Sequence, residues 1–301
     1  MLSAAPEVAF AKVNLCLFLG GARADGRHEL VTLLESVGGL VDELVISPAP
    51  SGEDEVLCPE VSGDNLVTAA LAGLRAAGWK APAMRVQIVK RIPVAAGMGG
   101  GSADAAAVLR RAPSLADVDR LVLQRIAAGL GADVPSQLDP GPSLGTGAGD
   151  IVDPVLVADH RLVILPQPFH LSTADVYREA DRLGLSRSPA ELAARRTDLA
   201  VALEAREGAL TRLPDRLIVN DLQPAAVSLC PEIETGLARA LGAGADQAIV
   251  CGSGPTVIGI FWGGAAAGRA HAAAERLRSR FPGAVVADPV TRGTRALAPN
   301  G

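Results

Sequence analysis

Residues 93–103 read PVAAGMGGGSA, and the rest of the fold follows from what flanks them. Glycines at 97, 99, 100 and 101 let the backbone turn sharply and approach a ligand closely. Upstream, residues 84–92 read MRVQIVKRI and alternate, so Met84, Val86, Ile88 and Lys90 share one face of a strand that Pro93 ends. Downstream, ADAAAVLRR is a strong helix-forming run. Ser102 is expected to cap that helix, whose free N–H groups and positive dipole end favour an anion. A glycine loop between a strand and a helix is read as a phosphate cradle.

The type of cradle is narrowed by exclusion. A Walker A loop needs Gly-Lys-Ser/Thr, and the chain has no Gly-Lys pair. A dinucleotide loop needs a third glycine where Ser102 stands and an acidic ribose partner about twenty residues on, which is not evident. There is no His-Arg-Asp and no Asp-Phe-Gly of protein kinases.

Working outward, residues 8–19, VAFAKVNLCLFL, read as a buried strand with Phe10, Lys12, Asn14 and Cys16 on one face. Lys12 and Asn14 therefore point the same way. Residues 20–29 form a turn-rich connection, 40–47 another strand, and Asp64-Asn65 caps a helix carrying Leu66, Ala70 and Leu74. Leu115, Val118, Val122 and Ile126 mark a further helix. After residue 150 the pattern restarts: a strand at 161–165, helices at 189–209 and 232–241, and a strand–loop–strand unit over 248–262. A last helix carries Ala270, Ala274, Leu277 and Phe281, a final strand falls at Val285-Val286, and the end frays from about Ala296.

Composition bounds the function. The 301 residues carry a net charge of -5, which argues against nucleic acid as a partner, and the Arg195-Arg196 cluster reads as a solvated helix face. Cys16, Cys58, Cys230 and Cys251 lack metal-ligand spacing and fit a reducing cytoplasm, and no apolar run is long enough to span a membrane. Aromatics are only 3%, so the core is expected from Ala, Val, Leu and Ile. Lysine occurs only at 12, 80 and 90, among 28 Lys and Arg, and a lysine kept in such an arginine-rich chain points to a site that needs a compact ammonium.

The Pro-x-x-x-Gly-x-Gly-Gly-Gly-Ser-Ala loop entering an Ala-rich helix resembles the central motif of the GHMP kinases. Four more segments, in family order, resemble the branch of that family that phosphorylates a cytidine-diphosphate-linked sugar alcohol. They are Ala11-Lys12-Val13-Asn14-Leu15, Ala24-Asp25-Gly26-Arg27-His28-Glu29-Leu30, Leu130-Gly131-Ala132-Asp133-Val134-Pro135 and Gly252-Ser253-Gly254-Pro255-Thr256. The resemblance implies an α+β, two-domain fold, with a ribosomal-protein-like N-terminal domain over residues 1–153 that binds ATP. A ferredoxin-like C-terminal domain over 154–295 closes the substrate cleft, and 296–301 form a tail.

The resemblance also implies that Lys12 and Asp133 are the catalytic pair. A carboxylate at 133 can take a hydroxyl proton, and an ammonium at 12 can stabilise developing negative charge. Asn65, Lys90 and the loop residues Pro93, Val94, Ala95, Ala96, Gly97, Met98, Gly99, Gly100, Gly101, Ser102 and Ala103 are assigned to ATP by the same carry-over. Asn14, Arg27, His28, Tyr177, Gly252, Ser253 and Gly254 are assigned to the cytidine substrate, with His28 reading the base and Tyr177 stacking on it. His160, His170 and His271 match nothing and are read as surface residues. Arg27 stands where the family usually has Tyr, and its guanidinium plane offers a second stacking face.

ATP with Mg²⁺ held mainly on the phosphates, and no protein metal cage, is the expected cofactor set. The expected protein is a cytoplasmic monomer or homodimer in the non-mevalonate route to isoprenoid precursors. The rival readings are another GHMP kinase, acting on homoserine, mevalonate or a sugar, and an inactive binding module on the same fold. The Asp25–His28 segment weighs against the first, and the presence of Lys12, Asp133 and the whole glycine loop against the second.

Overall fold

The computed structural model describes residues 6–61, 63–204 and 212–293. The far end of the expected helix 189–209 and the tail 296–301 lie outside the described residues. The first sheet is built from β1 (Glu7–Ala22), β2 (His28–Pro48), β3 (Glu55–Leu57), β4 (Met84–Val89), β5 (Ser143–Thr146) and β6 (Ile151–Pro154). Its order is β3-β4-β2-β5-β6, with β1 paired to β2. The 21-residue β2 organises this sheet: β1 runs antiparallel along one edge, while β5 and β4 share the other. The expected strands at 8–19 and 40–47 are parts of these two longer strands, and the turn between them shrinks to residues 23–27.

Helices α1 (Leu66–Ala76), α2 (Gly100–Arg111), α3 (Arg120–Leu130) and the single turn α4 (Val134–Gln137) accompany the first sheet. Ala103, Ala105, Ala106 and Ala107 of α2 are all fully buried, and their small side chains let the helix backbone approach the sheet and α1. Asn65 caps α1, its side chain accepting from the Val67 N–H at 2.8 Å. The start of α2 differs from expectation. Gly99, at φ +64°, occupies the cap and the helix begins at Gly100, so Ser102 lies inside the first turn and makes no capping bond. A left-handed residue at 99 costs nothing for glycine, and this lets the helix begin earlier than a serine cap would.

The second sheet has the order β10-β7-β9-β8, from β7 (His160–Leu165), β8 (Gln247–Val250), β9 (Val257–Trp262) and β10 (Val285–Ala287). With it come α5 (Thr173–Leu183), α6 (Pro189–Glu204), α7 (Gln223–Leu229), α8 (Ile233–Gly242) and α9 (Ala266–Arg278). One hydrophobic cluster joins the two sheets, bringing Val13, Leu15 and Phe18 of β1 together with Leu162, Ile164, Ile258 and Ile260. Each fully buried Leu or Ile contributes roughly 1.5–3 kcal/mol. β1 is also tied to the second half by its backbone. The Leu17 N–H donates to the Val219 carbonyl at 2.8 Å and the Leu17 carbonyl accepts from the Asp221 N–H at 2.9 Å.

His160 is not on the surface. It is 2% exposed, sits against Trp262, and bonds through Nε2 to Glu35 and through Nδ1 to the Ala158 carbonyl, each at 2.8 Å. Burial pulls its pKa down, but the Glu35 carboxylate and the Ala158 carbonyl together outweigh this and leave it raised. His170 and His271 are exposed. No described helix is long and apolar enough to cross a membrane.

Candidate active site

The glycine loop, the first strand and the segment after α3 converge on a cleft of about 450 Å³. Its walls carry Lys12, Asn14, Asn65, Lys90, the whole stretch 93–102, Asp133, Tyr177, Gly252 and Ser253. Four of the sequence candidates are not on the wall: Arg27, His28, Ala103 and Gly254. Ala103 is packed inside α2, and Gly254 lies behind Gly97. His28 adjoins the wall through Tyr177, the two rings being 5.1 Å apart. Arg27 holds Asp25 through Nη2 at 3.0 Å and Asp150 through Nη1 at 3.3 Å, so two carboxylates engage its guanidinium. A wider groove of about 1270 Å³ runs along α3, but its lining contains no glycine loop and no lysine–carboxylate pair.

Lys12 is buried, and its ammonium is 3.5 Å from Asp133 Oδ2. The same ammonium donates to Asn14 Oδ1 at 2.8 Å, and the Asn14 amide in turn donates to Thr32 Oγ1 at 2.8 Å. This chain of bonds points Lys12 into the cleft, while its backbone N–H donates to the Met98 carbonyl at 3.0 Å and fixes the glycine loop against β1. Asp133 stays partly exposed at the cleft wall, free to meet a hydroxyl.

Two glycines are required by space as well as by dihedral. A Cβ on Gly99 would fall 2.9 Å from Lys12 Cγ, and one on Gly97 would fall 2.7 Å from the Cys251 carbonyl oxygen. The two glycine loops therefore pack backbone to backbone. The second loop is held from behind by Asn220, whose amide donates to the carbonyls of Val250 and Gly252. Ser253 Oγ meets Thr173 Oγ1, at the start of α5, at 3.0 Å.

Lys90 behaves differently. Its ammonium is clamped between Asp42 and Asp104, the latter at 2.7 Å. Asp42 also accepts from the backbone N–H groups of Arg91 and Ile92 at 2.6 and 2.8 Å, fixing the turn into the glycine loop. Burial lowers the Lys90 pKa, but the two carboxylates outweigh it and leave it raised. Burial pushes the Asp104 carboxyl up to about 7, against the opposing pull of Lys90 and with a further push from Asp42.

Sequence reading missed Asp42 and Asp104. The available signal was a carboxylate on the inward parity of an apolar strand, in line with Leu40 and Leu44, and an acidic residue within an alanine run.

Among the described residues, no group of three or more His, Cys, Asp or Glu could hold a metal ion.

Comparison with known proteins identifies the family. The family pattern "GHMP kinases N terminal domain" matches residues 65–152, and "GHMP kinases C terminal" matches 199–282. The chain is 41% identical over 269 residues to the 4-diphosphocytidyl-2-C-methyl-D-erythritol kinase of Rhodococcus jostii, covering 85% of each chain. It is 40% identical to the protein of the same name from Streptomyces coelicolor, over 82% of this chain and 84% of that one. A crystal structure of 4-(cytidine 5'-diphospho)-2C-methyl-D-erythritol kinase superposes with a TM-score of 0.70 at 32% identity, covering 94% of this chain and 99% of that one. A homoserine kinase from Cytophaga hutchinsonii shares the fold, with a TM-score of 0.68 at 18% identity over 93% of this chain and 95% of that one. Two matching family patterns and identity at this level along most of the chain make the protein a member of the GHMP kinases, a family of ATP-dependent phosphotransferases.

Proposed function

We propose that this kinase transfers the γ-phosphoryl group of ATP to the 2-hydroxyl of 4-diphosphocytidyl-2-C-methyl-D-erythritol, giving the 2-phosphate and ADP, within the non-mevalonate route to isoprenoid precursors. The observation that carries the reading is the 3.5 Å approach of Lys12 to Asp133 beside a glycine loop that opens a helix. The names borne by relatives at about 40% identity support the substrate.

In this reading residues 1–153 form the ATP-binding half and 154–295 the half that closes the cleft, with sheet membership changing between Pro154 and His160. The backbone N–H groups of 97–102 and the start of α2 hold the nucleotide phosphates. Asn65 and Lys90 line the nucleotide side, and Asn14, Gly252 and Ser253 the acceptor side. Asp133 takes the proton of the attacking hydroxyl, and the Lys12 ammonium offsets the charge that develops on the transferring group.

The wall fits a phosphate-held Mg²⁺. Asp64, Ser102 and Asp133 offer oxygen donors on the wall, where Asp104 is already engaged by Lys90, and the ion would neutralise phosphate charge there. The protein acts on a small molecule in the cytoplasm, as a monomer or homodimer, with no nucleic acid or membrane as partner.

The test is ADP release with the cytidine substrate, alongside homoserine and mevalonate. Turnover is expected with the cytidine substrate alone, and Asp133→Asn should lower it by about three orders of magnitude. Turnover on homoserine or mevalonate in preference, or an Asp133→Asn protein of unreduced rate, would refute the reading.

A further inference from the structure

We infer that Asp181 is a positioning residue that decides which ring nitrogen of His28 carries the proton, and so makes the pocket favour an amino-pyrimidine over its oxo counterpart. The inference rests on the cytidine-substrate reading above. His28 Nε2 lies 2.8 Å from Asp181 Oδ1. The imidazole is 8% exposed, so this bond is shielded on the histidine side, while the carboxylate keeps one face in water at 51% exposure. No described residue bonds to the other ring nitrogen, Nδ1, and the Asp181 carboxylate has no second side-chain partner among the described residues.

A carboxylate can only accept, so Nε2 must be the protonated nitrogen. In the neutral ring that leaves Nδ1 with a bare lone pair, an acceptor. Tyr177 and Asp181 are four residues apart on α5, hence on one face of that helix. Tyr177 also lines the cleft. A single helix face thus sets both the aromatic wall and the state of the imidazole next to it.

The chemical consequence is a choice between two bases of nearly equal shape. The exocyclic 4-amino group of cytosine donates, and an acceptor nitrogen pairs with it. Uracil presents a carbonyl oxygen at the same place, and two lone pairs would then meet in a desolvated site. Discrimination by an unpaired polar group is stronger than discrimination by shape, and its sign depends here on a proton that Asp181 pins.

The experiment has two arms on the full chain. Nitrogen-15 NMR of the His28 ring, recorded above the ordinary histidine range, should show Nε2 protonated and Nδ1 bare, and Asp181→Ala should give a mixture of the two tautomers. In kinetics, Asp181→Ala should raise KM for the cytidine substrate about tenfold, leave the uridine analogue unchanged and keep kcat within about twofold. Asp181→Asn should restore most of the preference, because its amide oxygen still accepts from Nε2–H. A parent spectrum with Nδ1 protonated overturns the inference. So does an Asp181→Ala protein whose cytidine-to-uridine ratio is unchanged, or one that loses kcat equally on both. A parent inert on the cytidine substrate removes the functional reading and the specificity claim with it, while the spectrum still decides the tautomer.

Discussion

Two lysines with buried side chains bracket the glycine loop, and their surroundings are opposite. Lys12 has one carboxylate, at 3.5 Å, and that carboxylate is partly open to the cleft. Lys90 has two, Asp42 and Asp104, both almost fully buried and both in hydrogen-bond contact. The first ammonium is held in place largely by a neutral amide, Asn14. The second is matched twice over and serves as a latch joining β4, β2 and α2. In the proposed mechanism the same residue type does chemistry at one end of the loop and holds architecture at the other, and the count of carboxylates around it separates the roles.

That contrast predicts a split between turnover and stability. Lys12→Met should lower turnover by about three orders of magnitude while moving folding stability by no more than about 1 kcal/mol. Steady-state ADP release and urea denaturation on one preparation check both numbers. If the two quantities fell together, Lys12 would be another latch. Lys90→Met leaves two carboxylates buried without a counter-charge, and should destabilise the fold by about 3–5 kcal/mol in the same denaturation experiment. A protein of parental stability would break the comparison from the other side.

The latch also has a pH signature. Burial pushes the Asp104 carboxyl in the folded protein up to about 7, well above the ordinary aspartate range. The folded protein therefore binds this proton more tightly than the unfolded chain. The associated stability is complete below about pH 4 and is lost as pH rises towards about 7. Denaturation midpoints across that window should fall in the parent relative to Asp104→Asn, and a constant difference between the two proteins would contradict the assignment.

The smallest effect is expected at Arg27. Its ion pairs are at least partly exposed, so Arg27→Tyr should change stability by less than about 1 kcal/mol, and it should leave kcat unchanged while tightening KM by a few-fold. A large loss of turnover, measured with the cytidine substrate, would show that the guanidinium leaves Asp25 and Asp150 to act on the substrate.

What the sequence made readable was whatever depends on local backbone chemistry. The glycine loop between β4 and α2 could be read because glycine and period-two alternation are visible within a dozen residues. The approach of Lys12 to Asp133 was reachable only through resemblance, since 121 positions separate them and nothing local links them. Strands β3, β5 and β6, of three or four residues, are too short to show a period. In α5 only Val176 and Ala180 are buried, so its apolar stripe was too thin to stand out. His160 was misread because an isolated histidine gives no sign of a buried glutamate 125 residues away. Ser102 was misplaced as a cap because a serine is the stronger textual signal, whereas the left-handed backbone at Gly99 sets the true start.

The tie between Leu17 and the 219–221 segment has a practical corollary for anyone wishing to express the halves as separate polypeptides. A fragment ending near residue 154 would carry β1 with the hydrogen-bonding groups of Leu17 unpaired and Val13, Leu15 and Phe18 stripped of their cover. Such an edge is a template for aggregation. The cut pieces should stay soluble only when produced together, so that complementation in a shared host, rather than separate purification, is the workable route to a split version of this enzyme.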